Sequence, residues 1–161
     1  MKEKSDLEDL KKQYKKIEKK YSLPSFNKLN EEFDIERVSE KETDFLLREL
    51  RKTIMDKVLA YMRFTELLLN PANGPMFFFA AVKGLNLNEK TLIDDLYKKL
   101  AGLEIEVISR DNIYNEKKEA EFVVRIYKDW QKVKEEIEEI VQILKKNWDS
   151  KGQKNDKGYF G

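Results

Sequence analysis

The sequence predicts an all-α fold, and three observations lead to this prediction. Apolar residues recur at spacings of three and four over most of the chain, which is the period of an α-helix with one buried face. The 161 residues include only six glycines and three prolines, so few positions interrupt a helix. Charged residues make up 39% of the chain, far above the usual quarter, as is typical of helices with one solvated side. We therefore expect an elongated, mostly antiparallel bundle of four principal helices and two short ones.

The first principal helix is predicted over residues 5–21. Its apolar residues alternate spacings of three and four, and Ser5 with Glu8 forms a capping box at its start. Pro24 ends this segment, and Ser25 can cap a short helix behind it. Three residues share one face of that short helix: Phe26, Leu29 and Phe33.

The second principal helix is predicted over residues 40–69. Ser39 with Glu42 forms another capping box ahead of it, and neither Gly nor Pro occurs within it. The helix is expected to end at residues 70–75, which combine Asn, Pro and Gly in the strongest turn signal of the chain.

A short apolar helix between Pro75 and Gly84 is the first candidate for contact with a partner. It is apolar on every side, so we expect neighbouring helices to bury it. The alternative is that it forms an exposed contact site for a partner at the end of the long helix. Two aromatic residues near the C-terminus are added as candidates of the same kind. The candidate partner-binding residues are Met76, Phe77, Phe78, Phe79, Tyr159 and Phe160.

The remaining principal helices are predicted over residues 89–109 and 116–148, joined by a short link that makes them antiparallel neighbours. Asn86 or Asn88 can cap the first of them. Parts of residues 103–127 also alternate with period two, so an α+β fold with a small hairpin there is the alternative.

The chain is predicted to form a single helical domain over residues 1–148. Residues 149–161 are rich in Lys, Asn and Gly and lack periodicity, which is typical of a flexible tail.

Histidine and cysteine are both absent, and this excludes several classes of site. Without a thiol or an imidazole there is no disulfide framework, no catalytic triad with His and no Cys/His zinc site. We therefore expect no cofactor and favour a protein that is not an enzyme. The longest apolar run is seven residues, too short to span a membrane, and no signal peptide is evident, so a cytoplasmic location and no membrane contact are predicted.

The acidic run Glu135-Glu136-Ile137-Glu138-Glu139 is the pattern closest to a metal site. It is similar to half of the magnesium-binding signature of all-α nucleotide pyrophosphatases, in which clustered carboxylates hold Mg²⁺ against a triphosphate. The second half, an E-x-x-D on a following helix, is missing. Helical geometry turns most of these carboxylates toward solvent, so a solvated face is the preferred interpretation.

The formal net charge is only +1, but positive charge is concentrated at the two ends of the chain. Six lysines of the first helix lie off its apolar face and could contact phosphates. These candidate phosphate-contacting residues are Lys11, Lys12, Lys15, Lys16, Lys19 and Lys20.

Three hypotheses for function follow. The first is a non-enzymatic protein-protein interaction or scaffold module that offers apolar helix seams, in the manner of a coiled coil, to a copy of itself or to another protein. The second is an RNA- or ribosome-associated factor that uses the lysine-rich first helix and the tail. The third is an Mg²⁺-dependent nucleotide pyrophosphatase.

Overall fold

A computed structural model describes residues 2–155 of the chain, with side chains over residues 6–150. This part contains six α-helices and two short 3₁₀ segments, and no strand is present in residues 2–155. The helices are α1 (Lys2–Tyr21), α2 (Phe26–Phe33), α3 (Leu46–Leu69), α4 (Met76–Val82), α5 (Leu87–Asn112) and α6 (Glu116–Asn155). The 3₁₀ segments are Ile35–Glu40 and Pro71–Asn73.

The all-α prediction is confirmed, and the alternative with a hairpin at 103–127 is not supported. Residues 103–112 complete α5, and residues 116–127 begin α6. The period-two alternation was misleading because Leu103–Val107 also fits the helical spacing of α5, which continues through Gly102.

Polar caps set two helix starts as the sequence predicts, at Ser25 and Asn86, whereas the predicted Ser5–Glu8 capping box is wrong because α1 already begins at Lys2. The Ser25 side chain accepts a hydrogen bond from the Lys28 amide at the start of α2. At α5, the Asn86 side chain accepts from the Glu89 amide while the Glu89 carboxylate accepts from the Asn86 amide, each at 2.9 Å. These reciprocal bonds form a capping box.

The predicted start of the second principal helix at residue 40 is wrong. Residues Ile35–Glu40 form a 3₁₀ segment, and α3 begins only at Leu46. Asp34 ends α2 in the left-handed region with φ of 54°, which turns the chain before this segment. The Ser39–Glu42 pattern therefore caps no long helix. At the other end of the chain, α6 continues to Asn155, beyond the predicted end at 148.

The chain divides into two compact units, one of residues 1–59 with 104–131 and one of residues 60–103 with 132–161. Because α3, α5 and α6 each contribute to both units, the single helical domain over 1–148 stays a prediction. In the first unit, Arg110 donates to the Lys118 carbonyl and Glu106 pairs with Arg125, so α5 and α6 run antiparallel there.

The core of the first unit is aromatic where α1, α2 and α6 contribute to it. Tyr14 is fully buried and donates its hydroxyl to the Pro24 carbonyl at 2.5 Å. Trp130 of α6 is also fully buried, with its ring centroid 5.3 Å from that of Phe33. The Lys57 ammonium lies 5.6 Å from the Trp130 ring, in a cation–π contact.

The core of the second unit is mainly aliphatic. Thr65 is buried there, and its hydroxyl donates to the carbonyls of Tyr61 and Met62 one turn earlier. The buried apolar residues of this unit are Leu68, Phe78, Ala81, Leu85, Ile93, Leu96, Leu100, Val133, Ile137 and Ile140.

A buried ion pair lies inside the first unit. Arg51 of α3 and Glu119 of α6 are each 1% exposed, and the Arg51 Nε lies 2.6 Å from a Glu119 oxygen. The Arg51 Nη2 also donates to Asp111 at 2.6 Å, although the Asp111 side chain is 54% exposed. Burial alone would lower the pKa of Arg51, but these hydrogen bonds raise it, so the guanidinium stays charged.

We predict that Glu119→Gln destabilises the protein far more than Asp111→Asn. The first change removes the buried anion and leaves the guanidinium with Asp111 alone, at a cost of about 3–5 kcal/mol, whereas the exposed Asp111 pair is worth at most about 1 kcal/mol. The free energy of unfolding in urea measures both losses. Equal losses for the two variants would contradict the buried pair as the dominant interaction.

We also predict that acid removes the stability contributed by Glu106. Burial raises the pKa of this carboxyl, but hydrogen bonds from Arg125 and Arg110 outweigh burial and hold the pKa below its ordinary value of 4.5. The ionised Glu106 carboxylate therefore contributes its full stabilisation at pH values above its ordinary pKa. This stabilisation is lost as the pH falls through the lower pKa of the folded state.

At neutral pH, Glu106→Gln should cost roughly 1–3 kcal/mol, because the hydrogen bonds lose their charged acceptor. The difference from wild type should shrink when urea unfolding is repeated well below pH 4.5, since the protonated carboxyl then resembles the amide. An undiminished difference in acid would contradict this assignment.

Candidate functional site

Three of the four predicted partner-binding residues of α4 are exposed. Phe78 and Ala81 are buried on one side of the helix, and Met76 and Phe79 lie on the opposite side. Met76 is 81% exposed, Phe77 is 51% exposed and Phe79 is 45% exposed. The expectation that neighbouring helices bury the whole run is wrong, because a single helix turns some of its consecutive residues outward, and the described chain covers these residues only in part.

Phe78 packs α4 against the rest of the second unit. Its ring centroid lies 6.3 Å from that of Phe64 on α3, and the Phe77 ring stacks on it at 4.3 Å. Phe77 therefore has one face packed against Phe78 while about half of its surface remains accessible. We call Met76, Phe77 and Phe79 the α4 tip.

The corner between α3 and α4 holds this helix close to α3. Asn70 ends the helical backbone, and the 3₁₀ segment Pro71–Asn73 leads to Gly74 and Pro75. A Cβ atom on Gly74 would lie 3.0 Å from the Leu67 side chain and 3.1 Å from the Phe78 ring. Because glycine has no Cβ atom, residue 74 can lie this close to Leu67 and Phe78 without a shift of those side chains.

The sequence around the α4 tip is nearly free of charge, a signal that the sequence analysis missed. Residues 67–88 contain one charged residue, Lys83, in a chain that is 39% charged. Leu69 and Leu87 at the ends of this stretch are exposed as well. An exposed apolar surface without the usual charges is typical of a site that contacts another molecule.

The lysine face of α1 lies where the sequence predicts. All six candidate lysines are exposed, whereas Leu10 and Tyr14 on the opposite side are buried. Lys12 lies 3.4 Å from Asp9, and Lys20 lies 2.8 Å from Glu116. Hydrogen bonds from Lys20 and Tyr21 lower the pKa of Glu116.

The acidic run of α6 forms no cluster. Glu135, Glu138 and Glu139 are exposed, and Glu136 pairs with Lys99 of α5 at 2.5 Å. Within residues 6–150, no group of three or more acidic side chains is placed to hold a metal ion. This geometry does not support the pyrophosphatase hypothesis.

The two tryptophans differ in environment. Trp130 is part of the core of the first unit, but Trp148 near the end of α6 is 53% exposed. The remaining candidates, Tyr159 and Phe160, lie outside the described residues. In the described part of the chain, no helix has the length and apolar character needed to cross a bilayer.

Comparison with protein-family models, curated proteins and solved structures finds no match to this chain. Function is therefore inferred from the chemistry of its own surfaces.

We predict that Gly74→Ala and Gly102→Ala change stability in opposite directions. The new methyl group at residue 74 overpacks against Leu67 and Phe78, at a cost of about 1–3 kcal/mol. At Gly102 nothing lies within 4 Å of the new Cβ, so a helical alanine should gain about 0.5–1 kcal/mol. Urea unfolding curves of both variants test this, and a neutral Gly74→Ala would show that the corner tolerates a side chain.

Proposed function

We propose that this protein is a non-enzymatic interaction module that inserts the α4 tip into an apolar cleft of a different protein. The observation that carries the proposal is the exposure of Met76, Phe77 and Phe79 within a stretch that holds one charge. Phe and Met are among the residues enriched at the centres of protein interfaces.

The size of the exposed surface favours an anchor over a flat dimer contact. From their exposed fractions, the three side chains of the α4 tip present roughly 350 Å² of apolar surface, within the range of functional patches on monomers. A stable interface buries about 800 Å² on each partner. Two copies meeting through this surface alone would fall short of that area, whereas a cleft that surrounds the tip would add contacts from its walls.

The chemistry of the surface defines the cleft that fits it. Because Lys83 is the one charge in residues 67–88, a charged cleft would lose its hydration without gaining an ion pair in return. The partner cleft is therefore apolar and uncharged at its centre. A cytoplasmic location, predicted from the sequence, is part of the proposal.

We predict that Met76→Ser with Phe79→Ser abolishes docking without unfolding the protein. These two side chains point away from the helix face that Phe78 and Ala81 bury, so their loss removes contact area outside the core. Loss of interface anchors of this kind typically weakens binding by 2 kcal/mol or more, about 30-fold.

A photoreactive phenylalanine analogue at position 77 provides the measurement in cell extract. We expect a discrete adduct with one protein, lost in the Met76/Phe79 double variant. The matched control carries Ile105→Ser with Ile108→Ser, two exposed isoleucines of the first unit, and should keep the adduct. Adducts only with a second 19.2 kDa copy would replace this proposal with self-association, and the same adducts from the double variant would contradict it.

A further inference from the structure

A groove of about 440 Å³ lies in the first unit beside Tyr21, the last residue of α1. Tyr21 and Val124 are half-buried and Ala120 is buried, so these residues give the groove an apolar, partly aromatic lining. This volume is in the range of pockets that hold a small ligand, about 300–1,000 Å³. We call it the Tyr21 groove.

The charged part of the groove is mainly cationic. Lys117, Arg125 and Lys128 of α6 line it together with one carboxylate, Glu121. The three cations are exposed, and Lys117 and Arg125 lie two turns apart on α6 with Glu121 on the turn between them. A ligand in the groove would therefore meet positive charge along one side and apolar surface along the other.

These cations are weakly neutralised. Lys117 lies 3.9 Å from Glu121, and both side chains are more than half exposed, so this pair contributes little. Arg125 shares the single carboxylate of Glu106 with Arg110, which leaves one positive charge in excess. Lys128 forms no ion pair with any residue of the described chain.

The Tyr21 ring is held in place. Its hydroxyl donates to a Glu116 oxygen at 2.5 Å, and the Lys20 ammonium lies 4.8 Å from the ring centroid. Two contacts to charged groups fix the ring against the start of α6, so a flat ligand can pack on it with little loss of side-chain freedom.

The lysine face of α1 adds positive charge next to this groove. Residues 11–20 contain six lysines and one carboxylate, Glu18. Lys12, Lys15 and Lys19 point away from the buried side of α1, and Lys20 reaches α6 through Glu116. Lys20 is therefore the α1 lysine that these contacts place beside the ring, and cations next to a fixed aromatic ring are the combination that binds single-stranded nucleic acids.

We propose that the Tyr21 groove binds single-stranded nucleic acid. One base packs against the Tyr21 ring and Val124, and its neighbouring phosphates contact Lys117, Lys128 and Lys20 of α1. The site belongs to the first unit, whereas the α4 tip belongs to the second.

Anisotropy of a labelled oligouridylate of about a dozen nucleotides, measured between about 50 and 200 mM salt, tests the phosphate contacts. Lys117→Gln with Lys128→Gln should lower the slope of log K against log salt by about 1.4, since each contact to a single strand contributes about 0.7. The matched control, Lys90→Gln with Lys145→Gln, removes two exposed lysines of the second unit and should leave the slope unchanged. Equal slopes in the two double variants would overturn the proposal.

Two ring substitutions test the base contact. Tyr21→Leu should weaken binding by about 5- to 150-fold, whereas Tyr21→Phe keeps the stacking ring, loses only the bond to Glu116 and should weaken binding less. Inorganic polyphosphate of matched charge should compete poorly, and equal competition would overturn the base contact even if Tyr21→Leu fails to fold. A deoxythymidine oligomer of the same length separates DNA from RNA. The Met76/Phe79 double variant should bind the oligomer normally, which keeps this test distinct from that of the α4 tip.

Discussion

The first unit depends on one buried guanidinium. Arg51 extends from α3 into the core, where it meets Glu119 of α6 and Asp111 at the end of α5. The ion pairs thus join α3 to the corner between α5 and α6 around a guanidinium that is 1% exposed. Because a charge cannot stay buried without its counterion, this arrangement requires the turn at residues 113–115 to bring both acidic residues to Arg51.

The two proposed surfaces follow opposite physical rules. Binding through the α4 tip would depend on buried apolar area, which is largely insensitive to salt, and stacking on Phe78 holds the tip in position. Binding in the Tyr21 groove would depend on cations, whose attraction for phosphates is screened by salt, and the hydrogen bond to Glu116 holds the Tyr21 ring in position. Each surface therefore combines residues that contact the ligand with one that holds them in position. Their different responses to salt allow each to be studied in the presence of the other.

Local signals in the sequence predicted most of the fold. Polar caps at Ser25 and Asn86 and the helical spacing of apolar residues depend on neighbours a few residues away, so one chain suffices to recognise them. The Ser39–Glu42 pattern failed because the left-handed turn at Asp34 and the 3₁₀ segment behind it already determine the path of the chain there.

Contacts across long stretches of sequence could not be predicted. Arg51 lies 68 residues from Glu119, and nothing in the local pattern marks it as different from an exposed arginine. The Tyr21 groove requires the end of α1 to meet the start of α6, and spacing within either helix does not reveal this. The exposure of Met76 and Phe79 was likewise hidden, although the scarcity of charge over residues 67–88 could have indicated it.

The positions of the two tryptophans have a practical consequence for optical measurements. Trp130 is sealed in the core of the first unit beside an ammonium group, whereas Trp148 in the second unit is half accessible to water. Indole emission moves to longer wavelengths as water gains access. Trp130 in the first unit is therefore expected to emit at shorter wavelength than Trp148 in the second. A soluble quencher reaches Trp148 first, and the emission wavelength indicates which unit a change affects without any added dye.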